Sequence, residues 1–100
     1  MNILIVGASR GIGQRLIVQA LSAGHGVTAF ARHPEGIVAS HDRLRKVKAN
    51  VLDPLSVADA MAGQDAVVCT LGKKTPWEPP PDLFTRGTAN VLDAMAAAGV

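Results

Sequence analysis

Three glycines near the start of the chain, at positions 7, 11 and 13, restrict the possible fold more than any other feature of the sequence. They follow an apolar run, residues 2–6, that is typical of a strand buried on both faces of a parallel sheet. In a turn between such a strand and a helix, Gly7 allows the sharp change of direction, Gly11 lets the backbone approach a pyrophosphate, and Gly13 lets the helix pack closely. The segment therefore predicts a dinucleotide-binding turn, and a tight turn without a ligand is the alternative.

The rest of the sequence alternates between patterns typical of helices and of strands. Apolar residues recur at helical spacing from Ile12 to Leu21, and Gly24 suits the end of that helix. Asp53 followed by a proline predicts the start of a second helix. The other predicted elements are strands over residues 26–31, 44–49 and 66–71 and a last helix over residues 82–98. This order predicts an α/β fold, a Rossmann-type doubly wound parallel sheet of about four strands, with residues 1–100 as one NAD(P)-binding domain.

The last residues of the sequence indicate that the sheet continues. A helix is predicted to end near Ala98, and Gly99-Val100 has the pattern of a new strand. Because a parallel sheet covered by a helix usually runs on into another strand, we expect the N-terminal part of a chain about twice as long. A complete small domain is the alternative.

Charge and composition exclude several classes of partner. The formal net charge is only +2, and the nearest approach to a basic cluster is Arg43, Arg45, Lys46 and Lys48, so nucleic-acid binding is not expected. No stretch approaches the roughly 20 apolar residues of a membrane span, and no cysteine and histidine spacing indicates a metal. The single cysteine, Cys69, cannot form an intrachain disulfide, which favours a cytoplasmic protein. Its apolar neighbours predict a buried position.

The residues after the second predicted strand bear on which dinucleotide is bound. Sites that prefer NAD commonly place an acidic residue there, about 20 residues beyond the glycine turn, to bind the ribose 2′-OH. Here the position holds Arg32, followed by His33. A guanidinium can bind a 2′-phosphate through two hydrogen bonds, and Arg10 can reach the same phosphate from the other side. We therefore expect NADP(H) to be preferred over NAD(H); a solvated side chain is the alternative for each arginine.

Two further strand ends point to the same crevice, because ligands of open α/β sheets bind beyond the carboxyl ends of the strands. Asn50 and Val51 follow the third predicted strand, where the adenine is expected. Asn50 would bond the exocyclic amine and Val51 would pack on the ring. Leu71 and Gly72 close the fourth predicted strand and are expected beside the cofactor riboses.

In these motifs the chain resembles the short-chain dehydrogenase/reductase superfamily. The segment Gly7-Ala8-Ser9-Arg10-Gly11-Ile12-Gly13 looks like the typical branch, in which an arginine at the position of Arg10 often accompanies NADP. That branch normally ends its fourth strand with Asn-Asn-Ala-Gly, whereas this chain has Thr70-Leu71-Gly72-Lys73. Residues 62–68, 71–72 and 86–91 resemble the atypical branch instead, which includes the biliverdin-IXβ/flavin reductases and the NmrA-like NAD(P)-binding proteins.

The glycine turn and the resemblance together imply a set of cofactor contacts and a substrate loop. The implied cofactor-binding residues are Gly7, Ser9, Arg10, Gly11, Ile12, Gly13, Arg32, Asn50, Val51, Leu71 and Gly72. Asn50 departs from the aspartate often found at its position. Lys73 and Trp77 would lie near the nicotinamide and substrate, where Trp77 would stack on a planar substrate or pack on its own loop. The chain has no tyrosine, and the Tyr-x-x-x-Lys pair of the typical branch would fall after Val100, so the catalytic residues stay unknown.

Three functions fit these expectations. The first is an NADPH-dependent reductase of a flavin, a tetrapyrrole or a quinone-like acceptor, in which the protein orients the nicotinamide and the cofactor supplies the chemistry. The second is a non-catalytic NmrA-like NAD(P) sensor with a protein partner. The third is a nucleotide-sugar epimerase or dehydratase, which the absence of its typical motifs at the fourth strand makes least favoured. A small-molecule substrate is expected, and the oligomeric state is left open.

Overall fold

The computed structural model of the chain describes residues 1–8, 11–70 and 82–100, and within the last range the side chains from residue 86 onward. The elements in these ranges are β1 Asn2–Val6, α1 Gly11–Ser22, β2 Gly26–Ala31, a 3-10 turn at Pro34–Gly36, β3 Leu44–Lys48, α2 Pro54–Met61, β4 Ala66–Cys69 and α3 Asp82–Ala98. The predicted strands and helices are therefore present, each of the expected type. β3 ends one residue before its predicted end, and β4 ends at Cys69.

The four strands form one parallel sheet in the order β3-β2-β1-β4. β1 lies inside the sheet, where Ile5 is paired with Ala29 of β2 on one side and with Val68 of β4 on the other. The chain moves outward from β1 to β3 and then crosses to the opposite side of β1 to add β4. This doubly wound order confirms the predicted Rossmann-type fold, and it brings the carboxyl ends of all four strands to one edge.

Each face of the sheet carries its own hydrophobic core, because side chains alternate along the strands. Leu4 and Val6 of β1 lie on the face covered by α2 and α3, whereas Ile5 lies on the face covered by α1. The first core also contains Phe30, Val51, Val57, Met61 and Val91. The second also contains Ala8, Ile17, Val27, Ala29 and Ile37. β1 thus contributes side chains to both cores. Packing on both faces holds this strand in place, and the glycine turn begins at its end.

The helix ends follow the capping residues that the sequence predicted. Asp53 lies just before α2, accepts a hydrogen bond from the backbone N–H of Leu55 at 3.1 Å and another from the hydroxyl of Ser56 at 3.0 Å. After α1, Gly24 has a φ of 90°, the left-handed conformation that glycine adopts without strain. None of the helices in the described ranges is long and apolar enough to cross a membrane.

The predicted burial of Cys69 is wrong. The thiol-bearing residue is exposed, and its neighbour Val68 is 37% exposed. The reason is the position of β4, which pairs with β1 on one side and, within the described part of the chain, with no strand on the other. Apolar sequence around a cysteine indicates a strand, but it does not indicate whether that strand lies inside the sheet or at its edge.

Candidate functional site

The glycine turn begins where β1 ends, at the edge of the sheet that all strand ends share. Gly7 has a φ of 80°, so the chain reverses there in a conformation that other residues rarely adopt. The backbone N–H groups of Gly7 and Ala8 both donate to the carbonyl oxygen of Phe30, at 3.0 Å and 3.3 Å. The turn is therefore bound to the end of β2, and α1 starts at Gly11.

Gly11 and Gly13 differ in what surrounds them. A Cβ atom added at Gly13 would lie 2.8 Å from both Ala8 Cα and Gly7 O, so the close packing of α1 against the turn requires a glycine. A Cβ atom added at Gly11 would meet no protein atom within 4 Å among the residues that the structure describes. Packing against the described residues therefore does not require a glycine at position 11, and room for a ligand at the start of α1 is the reason that the sequence suggested for it.

The start of α1 has the electrostatic character of an anion site. The first turn of a helix presents N–H groups without intrahelical partners and the positive end of the helix dipole. The first turn of α1 carries no acidic side chain that would neutralise it. Ile12 is 71% exposed, and Gly11 beside it is also exposed. The arrangement suits phosphate groups, and the cofactor contacts of these residues stay a prediction.

Thr70 supports the glycine turn, a role that sequence reasoning missed. Its hydroxyl, which has one proton to donate, lies within hydrogen-bond distance of two carbonyl oxygens, that of Val6 at 2.7 Å and that of Gly7 at 3.0 Å. Its backbone N–H also donates to Val6 O at 2.9 Å. The contact depends on the pairing of β4 with β1. The only local signal in the sequence is a threonine at the end of a strand, and that signal does not indicate which residues the hydroxyl contacts.

Replacing Thr70 by valine is expected to lower the free energy of unfolding by about 1 kcal/mol, because the shape is kept while the hydroxyl bonds to Val6 O and Gly7 O are lost. Urea unfolding of the wild type, Thr70→Val and Thr70→Ser measures this. The serine variant keeps the hydroxyl and should lose less stability than the valine variant. Equal losses in the two variants would show that the hydroxyl bonds do not support the turn.

Arg32 lies where the sequence predicted it, directly after β2. Its side chain is exposed, and no residue that the structure describes holds it in a hydrogen bond or an ion pair. The next residue, His33, lies 3.5 Å from the carboxylate of Glu35, measured from Nδ1 to Oε1, and both side chains are about three quarters exposed. The guanidinium is therefore available to a ligand at this edge of the sheet.

Asn50 and Val51 follow β3, as predicted, and both side chains also make contacts within the protein. Asn50 Oδ1 accepts the backbone N–H of Leu52 at 2.9 Å, so an adenine amine would have to share that oxygen through its second lone pair. Val51 is only 3% exposed and packs in the core against Leu4. The carbonyl oxygen of Val51 accepts a hydrogen bond from Asn90 Nδ2 at 2.9 Å. The adenine contacts of Asn50 and Val51 stay predictions.

The described strand ends therefore meet at one edge. Gly7 follows β1, Arg32 follows β2, Asn50 follows β3 and Thr70 follows β4. The turn after β1 lies between β2 and β4, at the point where the strand order reverses, which is where open α/β sheets bind ligands. The remaining predicted contacts lie outside the described residues; they are Ser9, Arg10, Leu71, Gly72, Lys73 and Trp77.

Comparison with known proteins agrees with this geometry. The chain matches the family described as NAD(P)H-binding over residues 7–100. An uncharacterized protein of Mycobacterium tuberculosis is 38% identical to it over 100 residues, which covers 99% of this chain and 11% of that protein. The match to the family begins at Gly7, the first glycine of the turn, and runs through α3 to residue 100.

Two solved structures have the same fold. A Rossmann-fold NAD(P)-binding family protein from Shigella flexneri superposes with a TM-score of 0.83 at 30% identity, over 99% of this chain and 47% of that one. A short-chain dehydrogenase/reductase superfamily protein from Agrobacterium tumefaciens, with bound NAD, gives a TM-score of 0.80 at 28% identity, over 100% of this chain and 30% of that one. The chain thus spans about a tenth of the mycobacterial relative and less than half of either solved structure.

Proposed function

Because the chain belongs to the NAD(P)H-binding family of the short-chain dehydrogenase/reductase superfamily, we propose that it is part of an NADPH-dependent oxidoreductase. The observation that carries this proposal is the contrast between the two glycines: backbone atoms of Gly7 and Ala8 close position 13, whereas no described residue closes position 11 at the start of a helix. An open glycine at that place is what a pyrophosphate needs. The acceptor that we propose is a flavin, a tetrapyrrole or a quinone-like molecule.

When bound, the dinucleotide supplies the hydride, and the described residues supply binding and orientation. The N–H groups at the start of α1 would hold the phosphates, with Gly11 leaving room for their approach. Phe30 O and the Thr70 hydroxyl hold the glycine turn from β2 and β4, so the phosphate site keeps its shape when empty. Such preorganisation raises affinity because little ordering is left to occur on binding.

A preference for NADP(H) follows from Arg32. An acidic residue at the end of β2 would repel a 2′-phosphate, whereas the exposed guanidinium of Arg32 can donate two hydrogen bonds to it. We expect NADPH to bind more tightly than NADH by about 2 kcal/mol, a factor of about 30 in the dissociation constant.

Fluorescence titration of the full chain with NADPH and with NADH tests the preference. Arg32→Ala should raise the dissociation constant of NADPH by about 30-fold and leave that of NADH within about twofold, because only the 2′-phosphate contact is lost. Arg45→Ala is the matched control, since it removes the same charge from β3 at a residue paired with Thr28. Equal wild-type dissociation constants for the two dinucleotides would refute the NADP preference.

A turnover assay tests the proposed activity separately. The full protein with NADPH should reduce a free flavin or a quinone dye. Tight NADPH binding without turnover of any acceptor would favour the NmrA-like sensor over the reductase.

We also propose a cytoplasmic location, which is supported by a single cysteine in the 100-residue sequence and hence no pair for an intrachain disulfide.

A further inference from the structure

The segment between β2 and β3 has a defined shape that the proposed function does not explain. Residues 33–38, here called the strap, follow Arg32 directly. The strap contains the 3-10 turn Pro34–Gly36, in which the backbone N–H of Gly36 donates to His33 O at 3.1 Å and that of Ile37 donates to Pro34 O at 3.0 Å.

Contacts from three directions hold the strap in place. Ile37 is only 3% exposed and belongs to the core that contains Ala8 of the glycine turn and Ile17 of α1. The backbone N–H of Val38 donates to Gln14 Oε1 at 3.2 Å. From the other side, Lys46 Nζ of β3 donates to Ile37 O at 3.0 Å.

Gln14 is the contact that joins the strap to the phosphate end of the site. It follows Gly13 in α1, one helical turn from the open position at Gly11. Its amide oxygen therefore fixes the strap relative to the N–H groups that would hold a pyrophosphate. Arg32 is joined to the strap by one peptide bond, so the strap is a route by which α1 can influence the position of the Arg32 backbone.

We propose that Gln14 and Lys46 are positioning residues for dinucleotide selectivity: by clamping the strap from α1 and from β3, they hold Arg32 at the distance that a 2′-phosphate requires. This inference rests on the proposed NADP preference. Neither side chain has to touch the cofactor for this role. The clamp, which consists of the hydrogen bonds of Gln14 and Lys46 to the strap, holds the backbone of the strap. It should not affect the affinity for NADH, because NADH lacks the 2′-phosphate.

The chemistry of the two clamping groups suits this role. Gln14 is neutral, so it can lie beside a bound phosphate without repelling it. Lys46 is a cation and its hydrogen bond to a carbonyl is charge-assisted, which makes it stronger than a neutral one. A side chain that only stabilised the loop would affect both dinucleotides alike, so selectivity is the quantity that separates the two roles.

The experiment measures dissociation constants for NADPH and NADH on the full chain carrying Gln14→Met or Lys46→Met. Each variant should raise the NADPH constant about fivefold, the value of one net hydrogen bond, and leave the NADH constant within about twofold. Gln19→Met, an exposed position on α1, and Arg45→Met, which removes a charge from the same strand, are the matched controls and should change neither constant by more than about twofold.

The outcomes separate the clamp from the proposed function. If the wild type prefers NADPH and both variants keep that full preference, or weaken both dinucleotides equally, the clamp is refuted while the NADP preference stands. If the wild type binds both dinucleotides equally, the NADP preference and the clamp fail together. Hydrogen exchange at the Val38 amide, which should be faster in Gln14→Met than in the wild type without cofactor, checks that the bond itself was removed.

Discussion

Gly11→Ala is expected to weaken dinucleotide binding about 100-fold, equivalent to about 2.7 kcal/mol, without loss of stability. The new Cβ atom meets no described protein atom within 4 Å, so the protein accommodates it. Alanine also favours a helix over glycine by up to about 1 kcal/mol. The bound pyrophosphate, however, would have to approach through the space that the methyl group fills. Titration with NADPH and urea unfolding of the same variant measure the two effects.

Gly13→Ala is the matched partner of this variant and should behave differently. Its Cβ atom would lie 2.8 Å from backbone atoms of Ala8 and Gly7. Backbone atoms cannot relieve such a clash by a change of rotamer, as a side chain can. We expect the free energy of unfolding to fall by about 1–3 kcal/mol and dinucleotide binding to weaken as the turn is displaced. If Gly11→Ala binds NADPH as tightly as the wild type, the phosphate site does not lie at the start of α1.

Leu4→Ala is expected to lower the free energy of unfolding by about 3–5 kcal/mol, a large part of the roughly 5–15 kcal/mol that stabilises a typical domain. Leu4 is fully buried at the centre of the inner strand β1, where neighbours on both sides cannot collapse into the cavity. The phosphate site should be lost with the fold, because the glycine turn departs from this strand.

Leu55→Ala gives the corresponding control in urea unfolding. The same side chain is removed from a residue of α2 that is 76% exposed, so the expected change is within about 0.5 kcal/mol. A loss for Leu4→Ala no larger than that for Leu55→Ala would contradict the assignment of β1 to the centre of both cores.

The fold was largely predictable because its signals are local. The first strand, in which four of five residues are apolar, the glycine triplet and Asp53 before a proline can each be recognised from neighbouring residues alone. The alternation of these elements then leaves few topologies for a parallel sheet. Gly7 and Gly13 could likewise be assigned their turn and packing roles, since both act within a few residues of their own position.

The contacts that the sequence did not predict all join distant segments. Thr70 bonds to Val6 across 64 positions, and Gln14 bonds to Val38 across 24. Cys69 was placed inside the sheet because its neighbours are apolar, although burial depends on which strand lies beside β4. Val51 contributes its side chain to a core whose other buried members come from β1, β2 and the helices, a contact that its position after β3 did not predict. A local sequence pattern indicates whether a segment is a strand or a helix. The features in this paragraph depend instead on which other segments pack against it.

The strand order also predicts the order in which β2 and β4 pair with β1 as the chain folds. β1 pairs with β2 across a short loop and helix, Asn2 with Gly26, whereas its pairing with β4 joins Ile3 to Ala66. Closing the longer loop costs more chain entropy, so β4 should be the later of the two neighbours to dock. Thr70 arrives with β4, and only then does the glycine turn gain its second anchor. A partly folded chain would therefore have β1 and β2 paired before the glycine turn is held from both sides; pulse-labelled hydrogen exchange showing β4 amides protected as early as those of β2 would contradict this order.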